Sequence, residues 1–284
     1  MKLSLRGVSK TYSGRRGETD ALAPLDMAVR EGEFISLVGP SGCGKSTLLH
    51  IVAGLEPATS GAVELDGERV FGPGAEIGLM FQQQTLFPWL SVRENVRFPL
   101  TLAHHRGRAA GGDRGREAAR VESLLRLVGL WDFRDSYPAE LSGGMQQRAA
   151  LARALVGKPE VLLMDEPFGA LDAQTREQMQ ELVLHLIQHH RITTLFVTHD
   201  VDEALLLSDR VAVFSERPGR VLATLDVTFA RAARSSALKL DEAFLHQKRE
   251  ILALLRGRDR FETQRDRLLF GLTNTQSNSG EGGP

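Results

Sequence analysis

The sequence predicts an α/β fold organised around a largely parallel sheet, with a helical insertion between its strands. Three observations carry that prediction. First, short apolar strand candidates (Phe34 to Val38, Val161 to Met164, Thr194 to Val197) each run into polar or glycine residues at their carboxyl ends. Second, helical patterns separate them. Lys45 to Ala53 follows the first strand, and Met179, Leu182, Val183, Leu186 and Ile187 repeat at the i, i+3, i+4, i+7, i+8 spacing of one helix face. Third, residues 91–157 are mainly helical, with Leu124, Leu125, Leu127 and Val128 as their clearest apolar cluster. Strands alternating with helices build parallel sheets, because a parallel pair needs a long crossover.

Taken in order, residues 2–9 and 20–29 mix apolar and polar positions in short runs and read as strands. Phe34 to Val38 is a buried strand that enters a glycine-rich turn and then the Lys45 helix. Inside the helical insertion, His104 to Arg116 is rich in Arg and Gly and reads as a solvated loop rather than a lipid-binding patch. The pattern weakens after Asp226, although 241–256 reads as a helix with Phe244, Ile251 and Leu255 on one side. The expected organisation is a core domain over 1–225 with a helical subdomain at about 91–157. A helical extension over 226–262 and a flexible tail over 263–284, polar and Gly-rich from Thr273, complete it.

Composition narrows the functional classes. Apolar residues make up 42% of the 284, enough for a sizeable core. The 35 basic and 36 acidic residues nearly cancel, which argues against a general nucleic-acid binder. Cys43 is the only cysteine, so no intramolecular disulfide forms, as suits a reducing compartment. No apolar run reaches the roughly 18 residues of a membrane span. Met1 to Arg6 carries no signal-like apolar region. The expectation is a cytosolic protein that partners hold at any membrane it serves.

The strongest motif is Gly39-Pro40-Ser41-Gly42-Cys43-Gly44-Lys45-Ser46, which satisfies G-x-x-x-x-G-K-[ST] at every fixed position, between a strand and a helix. Glycines allow a tight turn whose N–H groups point inward at phosphate oxygens, and the helix N-terminus adds a favourable dipole. Lys45 is expected to face the β- and γ-phosphates, Ser46 to offer its hydroxyl to Mg²⁺, and Thr47 to cap or line the α-phosphate. Farther on, Val161 to Met164 ends in Asp165, 120 residues after Lys45. A carboxylate at the carboxyl edge of the sheet suits a Mg²⁺ ligand. The adjacent Glu166 suits a base that accepts a proton from, or orients, attacking water.

Leu141-Ser142-Gly143-Gly144-Met145-Gln146-Gln147-Arg148 precedes a helix running through Leu155, with Ser142 as its N-cap. This octapeptide resembles the signature of ABC ATPases, and it lies between cradle and metal carboxylate as in that family. The resemblance covers about residues 1–225. It implies a P-loop NTPase core with a mostly parallel sheet, an antiparallel β subdomain and a helical subdomain. It assigns Tyr12 to stacking on adenine. Gln82, favoured within Gln82-Gln83-Gln84 by the preceding Met80-Phe81, would link Mg²⁺ and the catalytic water to the helical subdomain. Phe168 to Asp172 would contact the opposite subunit, and His199 would be the switch residue near the γ-phosphate. Two copies would dock head to tail, each ATP lying between one cradle and the other copy's Ser142, Gly143 and Gly144.

Two stretches resemble one branch of the family. Leu86 to Val96, with Pro88-Trp89, and Ser215 to Val221, with Arg217-Pro218-Gly219-Arg220, are similar to segments of nitrate, taurine and aliphatic sulfonate importers. The resemblance implies an ATPase on the cytoplasmic face of the cell membrane. It would act with permease subunits and, indirectly, an extracytoplasmic solute-binding protein. Glycine betaine importers share the Met of the signature. Export or lipoprotein-release systems share the ATPase machinery, and soluble ABC ATPases of DNA repair or translation form a further alternative.

Overall fold

A computed structural model describes residues 1–14, 17–83, 85–105 and 114–256. The expected tail at 263–284, the end of the extension at 257–262 and most of the Arg/Gly-rich stretch lie outside the described residues.

Strands β1 (Leu3–Gly14), β2 (Gly17–Val29), β4 (Ser60–Leu65) and β5 (Glu68–Arg69) form an antiparallel sheet in the order β2-β1-β4-β5. The first two are longer than the periodicity indicates because their outer halves, up to Gly14 and from Gly17, form an exposed hairpin. There the alternation of apolar and polar residues stops while the hydrogen-bonded pairing continues. The second sheet runs β10-β9-β3-β8-β7-β6, from β10 (Val221–Asp226) and β9 (Arg210–Phe214) through β3 (Phe34–Val38) and β8 (Thr193–Thr198) to β7 (Val161–Asp165) and β6 (Ile77–Met80). All its neighbours are parallel except β10 with β9.

The central strands are apolar on both faces, as a sheet covered on both sides requires. Phe34, Leu162, Met164 and Phe196 face one layer together with residues of α4 (Gly143–Val156) and α5 (Ala173–His189). Ile35, Leu37, Leu163, Leu195 and Val197 face the other, against Leu48 and Leu49 of α1 (Lys45–Val52) and Leu5, Leu25 and Val63 of the antiparallel sheet. Successive residues of one strand therefore serve different cores, the period-2 rule of a strand. On the predicted α5 face, Met179, Val183 and Leu186 are buried.

The helical insertion consists of α2 (Val92–His105), α3 (Arg114–Leu127) and α4. Buried Asn95 in α2 donates to the Phe87, Leu90 and Ser91 carbonyls and accepts from the Phe87 N–H at 2.8 Å, fixing the loop that carries Pro88 and Trp89. A third core joins Val38 and Val213 to Val201 and Leu205 of α6 (Val201–Leu207), and to Phe244 and Ile251 of α7 (Glu242–Arg256). Arg231 and Arg234 both pair with Asp209, whose Oδ2 also accepts from the Phe34 N–H at 2.9 Å, so the segment before α7 is tied to the sheet.

Candidate functional site

The cleft lies at the carboxyl ends of β3 and β7, where open α/β sheets bind ligands. The register from β3 through β8 to β7 brings Val38 level with Thr198, and Val197 level with Asp165. That pairing carries the Lys45 turn to the paired carboxylates despite their separation in sequence. Tyr12, Thr19, Ala21, Ser41, Gly42, Gly44, Lys45, Ser46, Thr47, Gln82, Glu166 and Arg217 line one continuous cleft.

Gly44 sits at φ 101° as the N-cap of α1. A Cβ there would stand 2.7 Å from the Ala21 carbonyl oxygen, so both the backbone and the space require glycine. Lys45 is buried, and its ammonium donates to the Gly39 and Pro40 carbonyls at 2.8 and 2.9 Å. Two carbonyls of the turn thus fold back onto Lys45. Ser41 and Gly42 are exposed, and Ser46 and Thr47 half-buried. Cys43 is only 1% exposed: it packs into the core under the turn, and its N–H donates to the Pro40 carbonyl at 3.4 Å.

Ser46 Oγ donates to Asp165 Oδ1 at 2.8 Å. Asp165 is buried, and desolvation pushes its carboxyl above the usual aspartate range despite the Ser46 hydrogen bond. A hard divalent cation takes oxygen ligands and keeps sites left for water and phosphate, so a hydroxyl beside a buried carboxylate fits one.

Glu166 follows at φ 41°, a left-handed conformation that costs a non-glycine residue on the order of 1–2 kcal/mol. Glu166 Oε2 accepts from Gln82 Nε2 at 3.4 Å and lies 3.1 Å from His199 Nδ1. Gln82 and His199, just past the ends of β6 and β8, thus converge on one oxygen of Glu166, just past the end of β7.

The remaining sequence-derived positions stand elsewhere. Ser142 caps α4, accepting from the Met145 N–H at 3.3 Å, with Gly143 exposed beside it. Gly144 is buried against Thr175 of α5. Asp172 caps α5 and is exposed; its bonds from the Thr175 hydroxyl and N–H hold its carboxyl below the usual range. None of these four lines the cleft of its own chain. Sequence reasoning did not place Thr19, Ala21 or Arg217 in the cleft. Thr19 pairs with Tyr12 across β1 and β2, a register the pattern of apolar residues does not reveal.

A family profile described as ABC transporter matches residues 22–169. The chain is 43% identical over 269 residues to the nitrate import ATP-binding protein NrtD of Synechocystis sp. (strain ATCC 27184 / PCC 6803 / Kazusa), covering 93% of this chain and 98% of the relative. It is 45% identical over 258 residues to the taurine import ATP-binding protein TauB of Jannaschia sp. (strain CCS1), covering 89% and 93%. Among solved structures it is similar to the dimeric ATP-binding cassette MJ0796 in a post-hydrolysis state bound to ADP and Pi. There the TM-score is 0.70 and the identity 33%, over 80% of this chain and 100% of that one. A cradle, a carboxylate pair and a capped signature helix, in a chain that matches such relatives over almost its whole length, lead to one conclusion: the chain belongs to the ABC transporter family, among its ATP-binding subunits.

Proposed function

We propose that this ATPase energises uptake of a small anion of the nitrate, taurine or sulfonate type through a membrane permease, working as a head-to-tail pair of identical chains. The observation that carries the catalytic part is the convergence of Gln82 and His199 on Glu166 Oε2, beside Lys45, Ser46 and Asp165. Lys45 faces the β- and γ-phosphates, exchanging its carbonyl partners for phosphate oxygens. Ser46 and Asp165 would hold Mg²⁺ with Gln82 nearby, and the ion would supply positive charge against the phosphate oxygens. Glu166 takes the proton of water as its oxygen bonds to the γ-phosphorus and the bond to ADP breaks. His199 orients the Glu166 carboxylate and stands ready for the γ-phosphate. Tyr12 is about two-fifths exposed at the cleft, which leaves its ring available to adenine.

The head-to-tail reading draws on Ser142, Gly143, Gly144 and Asp172 standing outside their own cleft. The permease reading draws on Trp89, 70% exposed, with Phe87 5.5 Å away by ring centroids. Among the described residues no helix is long and apolar enough to cross a membrane. The solute class rests on the importer relatives. Reconstitution with the neighbouring permease and binding protein tests it: nitrate, taurine or an alkanesulfonate is expected to raise ATP turnover. Stimulation by glycine betaine alone would overturn the solute class and leave the ATPase reading intact.

A further inference from the structure

The hairpin from Ser215 to Arg220, between β9 and β10, is held from several directions. Within it, the Ser215 N–H donates to the Arg220 carbonyl at 2.9 Å, and Ser215 Oγ accepts from the Arg220 N–H at 3.0 Å. Outside it, the Gly219 N–H donates to the Ala21 carbonyl at 2.9 Å, and the Gly219 carbonyl accepts from the Ala23 N–H at 3.1 Å. The hairpin is thereby stapled to β2. It also presses on the cradle, since a Cβ on Gly219 would stand 2.1 Å from the Cys43 carbonyl oxygen.

This arrangement delivers one side chain to the cleft. Arg217 lines it together with Tyr12, Thr19, Ala21, Ser41 and Gly42. The other cations near by are committed: Lys45 to the Gly39 and Pro40 carbonyls, and Lys10 to Glu56 at 2.5 Å. Arg217 is exposed and has no hydrogen bond, ion pair or ring contact among the described residues. Its anchor is β2, which bears Thr19 and Ala21, whereas Asp165 and Glu166 stand at the end of β7.

We propose that Arg217 is a nucleotide-binding residue, its guanidinium holding the nucleoside and α-phosphate half of ATP, delivered there by the stapled hairpin. The inference rests on the reading of the cleft as the ATP site. A guanidinium suits that half of the ligand, because its plane stacks on a purine and its N–H fork meets phosphate oxygens. ADP shares the same half, so Arg217 acts on both nucleotides and not on the γ-phosphate alone.

Calorimetric titration of wild type, R217A, R217K and K45A with ATP and with ADP tests this. R217A is expected to weaken both nucleotides by about three- to tenfold, with R217K in between. The melting temperature without nucleotide should stay that of wild type, because Arg217 has no protein partner to lose. Unchanged affinity for both nucleotides in R217A overturns the proposal, as does weakening confined to ATP or a melting loss without nucleotide. If wild type binds no nucleotide, or K45A binds as tightly as wild type, the reading of the cleft itself fails, a result distinct from a failure of Arg217 alone.

Discussion

Gly144→Ala tests how tightly the signature helix is seated. The new Cβ would stand 2.1 Å from Thr175 Cγ2, against an ordinary contact of 3.4–4 Å. Thr175 cannot turn its methyl away freely, because its hydroxyl donates to Asp172 Oδ2 at 2.7 Å and its N–H to Asp172 Oδ1 at 3.0 Å. Rotation would give up the hydroxyl's bond to Asp172 Oδ2, though not the cap's bond from the Thr175 N–H, so α4 and α5 must separate or the hydroxyl's bond must go. Overpacking of this kind costs about 1–3 kcal/mol. Alanine's helix preference over glycine returns at most about 1 kcal/mol, and less in a first turn. The net loss is roughly 1–2 kcal/mol, or a fall in Tm of about 2–8 °C for a domain of this size. Thr175→Ser removes Cγ2 while keeping the hydroxyl, so it should rescue the variant. The four proteins of the cycle, followed by urea unfolding, should show a coupling of about 1 kcal/mol. Wild-type stability of Gly144→Ala, or an equal loss with Ser at 175, would refute the steric argument. Once rescued, the double variant also separates packing from nucleotide chemistry at Gly144.

Glu166→Gln should lower kcat by roughly 10²- to 10⁴-fold, while ATP still binds and an ATP-loaded dimer accumulates on gel filtration; hydrolysis at the wild-type rate would remove Glu166 from the role of base. Glu203→Gln addresses a buried carboxylate that accepts from the Thr198 hydroxyl at 2.6 Å and Gln180 Nε2 at 3.3 Å. Burial pushes the Glu203 carboxyl above its ordinary range, with Asp200 adding to the rise and Arg176 opposing it. The stability it contributes is therefore fully present below the unfolded-state value of about 4.3 and is lost as pH rises through the higher folded value. The variant should gain on wild type in denaturant melts as pH rises through that window, and a difference independent of pH would contradict this account.

Much of the fold is legible because its signals are local. Phe34 to Val38 followed by glycines, and Val161 to Asp165 as an apolar run ending in a carboxylate, each announce a strand and the end that meets the cleft. The nearness of Lys45 to those carboxylates is a property of sheet order, which motif knowledge can supply and periodicity cannot. Side-chain direction within the cradle is equally hidden: Cys43 sits between exposed Gly42 and the cleft-lining Gly44 yet packs into the core. Asn95 reads as an ordinary polar residue of a helix until the loop it binds is folded over it. Arg217 is the clearest case, because its place depends on Gly219 meeting Ala21 and Ala23, a pairing with no trace in either segment.

The packing of α7 has a consequence for synthesis on the ribosome. Val38 immediately precedes the glycine-rich turn, and Val38, Val213 and α6 are covered by Phe244 and Ile251. Chains are made from the N-terminus at about 5–20 residues per second. Phe214 completes β9, the later of the two strands that flank β3, and Phe244 therefore appears roughly 1.5–6 s after it. During that interval the sheet can pair while one of its apolar flanks stays wet. A chain stopped short of Phe244 would keep the cradle and both carboxylates but leave this flank open, a candidate for chaperone capture or self-association.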